Sequence, residues 1–555
     1  MVRLLLLSII ASTAAISAEP GKNAALETII DRMILREQAL LERLQKLAPL
    51  TETYIQIMQP EGEDELAVKD DHYFLGNVNL GNGVEMVPFT EVPKEGRRWF
   101  SMFFPQQFRF LPRGFAQMAL VDNGGLGRSR FEFTYVRREF VGEIRSLVFD
   151  VVPKKDAGPG RFKGRIWADE QGFDIIRFSG TYTLKGKAPE YFHFNSWRVH
   201  TDAGWLPAQI YVEELDKISP LAGNLLFKAK VNFWGYKPMR TAPTDEFTKI
   251  LVEADQASDK STTARVDSVQ GWQRQAEMNI VERMEEAGLL APPGEVEQVL
   301  ETVVNNVLVT NNLPDPGIKC RVLLTTPLES FAVNNTIILS RGLIDVLPDE
   351  GSLALILTRE LAHILLGHQL DTKYAFNDRI MIDDNQILRQ FQFRREPQQL
   401  EDADNKAVEL LKNSPYKDKL EGAALFLRAA SLFGPHMPKL FAAQMGNRVP
   451  QGDGKARMTA IAENAPTIHE SDPNQIIALR LGSRLVLDPW SNKLELNRSP
   501  AVKFTSAREK MPFEVAPLML PLGRHGKTTV AQEEETAAPA GGNREAAPAT
   551  PAVQR

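Results

Sequence analysis

The chain has 555 residues, which leaves room for about three folded units at roughly 100–200 residues per domain. Hydrophobic residues make up 43% and charged residues 25%, a globular balance that argues against a wholly disordered or fibrous chain. The formal net charge of −6 provides no basic field, so nucleic acid is not expected as a partner. Because Cys320 is the single cysteine, disulfide frameworks and thiolate zinc sites are excluded, and a metal would need His, Asp or Glu ligands.

The N-terminus has the layout of a secretory signal. Arg3 is followed by the apolar run Leu4–Ile10 and then by small residues that end at Ala18. The apolar run is shorter than the ~20 residues that a membrane-spanning helix needs. We therefore expect a signal peptide over residues 1–18, a secreted or periplasmic protein, and no transmembrane segment after cleavage. An uncleaved anchor is the alternative.

The rest of the chain divides by its hydrophobic pattern. Residues 19–50 have apolar side chains at three- and four-residue steps, which predicts an N-terminal helix. Residues 51–236 alternate apolar and polar positions between frequent turn signals, which predicts an antiparallel β domain. We expect a linker over 237–266, a mainly helical domain over 267–500, and a largely disordered tail over 501–555. The expected fold class is α+β.

One stretch of the β domain carries a family resemblance. The segment from Asp150 to Gly180 resembles the strand–turn–strand repeat of periplasmic lipoprotein-carrier proteins of the LolA/RseB type. The resemblance implies a half-barrel-like sheet whose apolar concave face takes lipid or peptide. A generic sheet that only packs on its neighbour is the alternative.

A second resemblance lies in the helical half. Arg341-Gly-Leu343 is followed by Arg359-Glu-Leu-Ala-His363, then by His368, and further on by Leu400-Glu-Asp-Ala-Asp404. In order and spacing these segments resemble the HtpX-type zinc metallopeptidases, the gluzincin group that also contains the CAAX prenyl proteases. The resemblance implies an active-site helix with an H-E-x-x-H motif, often extended by a His five residues later. It also implies a third zinc ligand from a downstream E-x-x-A-D motif.

The chain departs from this motif at two of three ligand positions. Arg359 stands where the first His belongs and Leu400 where the third ligand belongs, while Glu360 and His363 keep the positions of the general base and the second ligand. Two His at i and i+4 lie about 40° apart on a helix and can hold one zinc, which needs three protein ligands. The Arg359 guanidinium is always protonated and would repel the ion. These departures favour a metal-free peptidase fold in which Glu360 and His363 are vestigial.

A rearranged metal site is the alternative. It would use His363 and His368 with Glu401 or Asp404, although a five-residue step turns about 140° around a helix and counts against His368. Glu401 is one residue out of register, and Asp404 matches a second-shell position. Without zinc, we expect Arg359 to pair with Glu401, Asp402 or Asp404, because a buried acidic cluster needs a positive partner. Exposure of Arg359 to solvent is the alternative to that pairing.

The resemblance therefore implies an exported, catalytically degenerate peptidase that needs no cofactor. It would bind a protein or peptide substrate in the cell envelope, with lipoprotein or lipid as further candidates. An active zinc metalloendopeptidase with a rearranged site is one alternative. A periplasmic lipid or lipoprotein carrier acting through the β domain is another.

Overall fold

The computed structural model describes most of the two halves predicted from the sequence. The described residues are 20–60, 66–80, 84–89, 112–183, 192–215, 226–238, 279–347, 349–368, 387–391, 393–449, 458, 461, 485–488, 493–496 and 522–524. The expected signal peptide, the linker beyond Pro238 and most of the expected tail lie outside them. No helix within the described residues is long and apolar enough to cross a membrane.

The elements are numbered in chain order. The helices are α1 (Pro20–Leu44), α2 (Pro112–Gln117), α3 (279–286), α4 (Glu295–Thr310), α5 (Arg341–Val346), α6 (Glu350–Leu365), α7 (Ile387–Gln390), α8 (Pro397–Lys412) and α9 (Leu420–Phe433). The strands are β1 (Leu47–Pro60), β2 (Leu66–Asn79), β3 (Glu85–Pro88), β4 (Phe131–Val141), β5 (Ile144–Pro153), β6 (Phe162–Asp169), β7 (Ile175–Tyr182), β8 (Phe194–Thr201), β9 (Gly204–Glu214), β10 (Leu226–Pro238), β11 (Lys319–Leu323), β12 (Glu329–Val333), β13 (Thr336–Ser340), β14 (Asn447–Arg448), β15 (Leu485–Asp488) and β16 (Lys493–Leu496).

The first half is one antiparallel sheet of ten strands. The strand order is β3-β2-β1-β10-β9-β8-β7-β6-β5-β4, so β3 and β4 form open edges and the sheet does not close. This architecture confirms the expected α+β class with an N-terminal antiparallel domain. The first strand begins at Leu47, inside the range 19–50 that was predicted as helix. Pro49 cannot continue a helix, and Leu50 pairs with Trp234 of β10.

One face of the sheet is covered by α1 and α2. Helix α1 is fastened by a buried ion pair, in which Arg198 of β8 donates to both carboxylate oxygens of Glu37 at 2.6 and 2.7 Å. Beneath the helices the rings of Phe162, Phe178 and Phe194 pack at centroid distances of 5.7–6.2 Å. This face is therefore a packed aromatic core in the described part of the chain.

The opposite face, near β1 and β2, packs against the second half of the chain. Glu52 of β1 is fully buried there and accepts hydrogen bonds from Tyr73, Asn232, Thr326 and Arg341 at 2.5–3.2 Å. The last two residues belong to the second half. One carboxylate thus joins the sheet to the helical domain.

A second buried carboxylate makes a similar junction. Asp71 of β2 accepts from the backbone N–H groups of Lys439 and Leu440 at 2.8 and 2.7 Å, and from the Tyr54 hydroxyl at 3.1 Å. Burial raises the pKa of Asp71 to about 6, although these hydrogen bonds oppose the shift. The two halves therefore meet through specific polar contacts as well as through apolar packing.

Helix α6 lies at the centre of the second half. A four-stranded sheet in the order β11-β13-β12-β14 flanks it, and α4, α8 and α9 pack around it. Asp349 caps the helix by accepting from the Ser352 N–H at 2.7 Å. Ten consecutive residues, 354–363, are buried. A helix that is enclosed on all sides brings any polar side chain in its last turns into the protein interior.

Candidate functional site

The polar end of α6 holds a buried ion pair. The side chains of Arg359 and Glu360 have 0% exposure, and Arg359 Nη2 lies 3.1 Å from Glu360 Oε1. Arg359 Nη2 also donates to Ser330 Oγ at 2.7 Å, and Ser330 Oγ donates to Glu360 Oε1 at 2.7 Å. Ser330 lies on β12, so strand and helix are linked by this triad. The pairing keeps both charges compensated inside the protein.

The surroundings of Glu360 fix its charge state. Burial raises its pKa, but the charge of Arg359 and the hydrogen bonds from Ser330 and Arg359 lower it, and the net shift is downward. Glu360 is therefore a carboxylate at neutral pH. A carboxylate with a lowered pKa, held by a guanidinium and a hydroxyl, is a weak general base.

His363 and His368 are in direct contact. Helix α6 ends at Leu365, and Gly367 adopts φ +66°, a conformation that glycine tolerates without strain. The chain then turns back, so that the His368 N–H donates to the His363 carbonyl oxygen at 3.0 Å. The two Nδ1 atoms lie 2.9 Å apart. The expectation that a 140° step separates these side chains is wrong, because His368 lies beyond the end of the helix.

Both imidazoles are neutral at neutral pH. Burial lowers the pKa of His363 to about 4, with Glu360 opposing and the charges of Arg395 and Arg359 adding to the shift. Burial and the charge of Arg395 also lower the pKa of His368, whereas Asp402 opposes. One ring must therefore donate its Nδ1 proton and the other must accept it.

Arg395 holds the turn that carries His368. Its guanidinium donates from Nη1 to the His368 carbonyl oxygen at 2.9 Å and from Nη2 to the Ala332 carbonyl oxygen at 3.0 Å. Sequence reasoning missed Arg395, which follows no motif. It also missed Ser330, whose signal was a hydroxyl beside Glu329 in a short strand that is buried throughout.

The acidic residues of α8 do not pair with Arg359. Glu401 and Asp402 are exposed, and Asp404 is buried and accepts from the Met458 N–H at 3.0 Å. The expected ion pair between Arg359 and one of these three residues is therefore wrong. The alternative, an exposed Arg359, is wrong as well. The neighbouring Glu360 compensates the guanidinium because the last turn of α6 faces β12 and its Ser330.

The described residues do not fit a catalytic zinc ion. Such a site needs three protein ligands and an open position for water. Within the described ranges no three His, Cys, Asp or Glu side chains are grouped as metal ligands. Leu400 is half-buried on α8 at the third-ligand position, and the Arg359 charge acts on His363.

The comparisons with known proteins give one matching family model and several similar solved structures. Residues 294–382 match the model of peptidase family M48, which confirms the metallopeptidase resemblance for that segment. Among solved structures, the chain is similar to a LolA superfamily protein from Nitrosomonas europaea, with 10% identity, 39% of this chain and 94% of that chain covered, and a TM-score of 0.24. No curated protein matches the chain.

Two further solved structures have comparable scores. A DUF1329 family protein from Desulfovibrio piger has 11% identity, with 39% of this chain and 94% of that chain covered and a TM-score of 0.22. An outer membrane lipoprotein-sorting protein domain from Vibrio parahaemolyticus has 11% identity, with 40% and 97% covered and a TM-score of 0.22.

Proposed function

We propose that the protein is an exported, catalytically inactive peptidase homologue that binds protein or peptide partners in the cell envelope. The observation that carries the proposal is the buried Arg359–Ser330–Glu360 triad. It occupies the place where the zinc peptidases that the motif resembles have a metal ligand and a general base. The exported location rests on the N-terminal sequence alone.

The triad cannot supply the chemistry of a zinc site. A guanidinium stays protonated and has no lone pair to offer a metal. It cannot hold a water molecule and lower its pKa, which is the central contribution of zinc in peptide hydrolysis. Glu360 is already engaged by Arg359 and Ser330. These properties support a scaffold that has kept its peptidase fold and lost its reaction.

Protein or peptide is the favoured partner class over lipid. A lipid carrier needs an accessible apolar face, and the face of the sheet beneath α1 is filled by aromatic rings. Opening it would break the buried contact between Glu37 and Arg198 and leave both charges unpaired, which is costly. A carrier function through this face would require α1 to leave, so we rank it below protein binding.

A rearranged zinc endopeptidase is the second candidate. The 2.9 Å separation of the His363 and His368 Nδ1 atoms favours it, because two neutral imidazoles that close could converge on one ion. The charge of Asp402 acts on His368, so Asp402 is the carboxylate to test as a third ligand. In this candidate Glu360 would have to leave Arg359 to act as a base.

One set of measurements decides between the two candidates. The full chain, purified from a Gram-negative host, is analysed for zinc by mass spectrometry and assayed for cleavage of an unfolded protein with and without a chelator. We expect substoichiometric zinc and no chelator-sensitive cleavage. One zinc per chain that is lost in His363→Ala, together with chelator-sensitive cleavage, would establish the zinc peptidase instead. N-terminal sequencing of periplasmic protein tests export, with Glu19 as the expected first residue.

A further inference from the structure

Three residues near the C-terminal end lie against the ten-stranded sheet. Leu522, Gly523 and Arg524 contact the face that α1 does not cover, at the turn between β4 and β5. The Leu522 side chain is only 2% exposed. The Glu143 N–H donates to its carbonyl oxygen at 2.8 Å. Burial of Leu522 to this degree requires a surface of the sheet that is complementary in shape to its side chain.

The apolar cluster that includes Leu522 has internal contacts of its own. Its other buried members come from β4 to β9, namely Val141, Ile144, Val148, Trp167, Ile176, Trp197 and Trp205. Arg177 lies between the rings of Trp167 and Trp197 at 4.5 and 4.2 Å from their centroids, and donates from Nε to Asn195 Oδ1 at 2.9 Å. Cation–π stacking of this kind fixes the rings. None of these contacts involves Leu522, so the pocket exists before it is filled.

A buried carboxylate provides the second anchor. Arg524 Nη2 lies 2.6 and 2.7 Å from the two oxygens of Asp169, whose side chain is 1% exposed. The backbone N–H groups of Gln171 and Gly172 donate to the same carboxylate at 3.0 and 3.2 Å and set its direction. Within the described part of the chain, Arg524 is the only cation paired with Asp169. The Asp169 carboxylate is thus oriented towards the side chain of Arg524, two residues after Leu522.

The sheet makes room for this backbone at one position. Gly142 has φ +62°, and a Cβ atom there would lie 2.6 Å from both the backbone nitrogen and the carbonyl oxygen of Leu522. Any other residue would both strain the turn and push the segment away. Gly142 therefore leaves space on the sheet for the backbone of residues 522–524.

We propose that this surface, made by Gly142, Glu143, Asp169 and the tryptophan-lined pocket, is a peptide-binding site for a leucine followed two residues later by an arginine. Residues 522–524 of the same chain occupy it in cis as a displaceable ligand. One side chain, one hydrogen bond and one ion pair bind weakly by themselves. Because the segment belongs to the same chain, its local concentration at the site is roughly millimolar, which keeps the site filled. The inference does not depend on whether α6 is catalytic.

The test uses a labelled synthetic peptide of residues 516–527 and the full chain. In the variant Leu522→Asp/Arg524→Glu the site is vacant, so we expect the peptide to bind and to change the tryptophan fluorescence. Wild-type protein should bind about tenfold more weakly, because its own segment competes. The control Lys527→Glu makes the same charge change as Arg524→Glu, three residues further along the chain, and should behave like the wild type. Asp169→Asn added to the vacant variant should remove peptide binding.

Other outcomes overturn the proposal. Equal peptide affinity for the wild type and the vacant variant, or binding that survives Asp169→Asn, would show that the peptide binds elsewhere. A wild-type dimer that becomes monomeric in the vacant variant would place the segment in trans. If the vacant variant does not fold, hydrogen exchange at the Glu143 amide is measured in the single variant Arg524→Glu. Displacement of the segment should make this exchange faster than in the wild type. Exchange as slow as in the wild type would show that the segment is not a displaceable ligand.

Discussion

Arg359 and Glu360 are consecutive residues whose side chains form an ion pair with no exposed surface, 3.1 Å from Nη2 to Oε1. Side chains of adjacent helical residues point in different directions, and these two meet because both reach Ser330 on β12. The positive charge of Arg359 and the negative charge of Glu360 compensate each other. The two positions are therefore energetically coupled, and each is best tested together with its partner.

Removal of the Arg359 charge alone should strongly destabilise the protein. Arg359→Met leaves Glu360 buried without a counter-charge, so we expect a loss of about 3–5 kcal/mol in the free energy of unfolding measured with urea. The double variant Arg359→Met/Glu360→Leu should recover most of this loss. Lys412→Met removes an exposed cation from α8 and should stay within about 0.5 kcal/mol of the wild type. Wild-type stability of Arg359→Met would refute the coupling.

Restoring the ligand positions should restore metal binding. Arg359→His/Leu400→Glu supplies two ligands beside His363, and we expect close to one zinc per chain after dialysis against zinc. Leu400→Glu alone should bind little zinc, because the Arg359 cation remains. His363→Ala added to the double variant should abolish binding. Failure of the double variant to take up zinc would mean that the register between α8 and α6 differs from that of the metallopeptidases.

The stability of the protein should fall in mild acid because of His363. Its folded pKa of about 4 is below the value of about 6.5 expected for an unfolded chain. The unfolded state therefore binds the proton first as the pH falls, and the stabilisation present above pH 6.5 is lost towards pH 4. Between pH 7 and pH 5 we expect His363 to account for about 2 kcal/mol of lost unfolding free energy.

The variant His363→Gln removes this titration. Its unfolding free energy should change less between pH 7 and pH 5 than that of the wild type, measured by urea denaturation at each pH. His436→Gln, in the loop after α9, is the matched control. An unchanged pH dependence in His363→Gln would show that other groups cause the acid sensitivity.

Asp71 should stabilise the junction between the two halves. Asp71→Ala leaves the Tyr54 hydroxyl and the N–H groups of Lys439 and Leu440 without their acceptor, at about 1–3 kcal/mol for each buried donor that stays unsatisfied. We expect faster hydrogen exchange at the two amides and a clear loss of unfolding free energy. Lys69→Ala, at an exposed position two residues away, should have little effect. Unchanged protection of both amides in Asp71→Ala would contradict the assignment.

The hydrophobic pattern of the sequence predicted the helices and strands, whereas the side-chain partners in the site depend on contacts between residues far apart in sequence. The alternation around Ile175–Phe178 gave a strand of an antiparallel sheet, and the motif spacing placed Arg359 and His363 on one helix, because both depend on neighbours in sequence. The partner of Arg359 did not follow, since Ser330 reaches it only through the packing of β12 on α6. The position of His368 depends on where α6 ends. The turn at Gly367 follows the end of the helix, whereas a helical projection of the sequence assumes that the helix continues to His368.

The buried carboxylate of Glu52 couples the thermal unfolding of the two halves. Its hydrogen-bond donors come from both halves, Tyr73 and Asn232 from the first and Thr326 and Arg341 from the second, so the unfolding of either half removes two of these four partners. The apolar cluster beneath it also combines side chains from β1 and β2 with those of α4 and α6. The two halves should therefore absorb heat in a single calorimetric transition, as one cooperative unit.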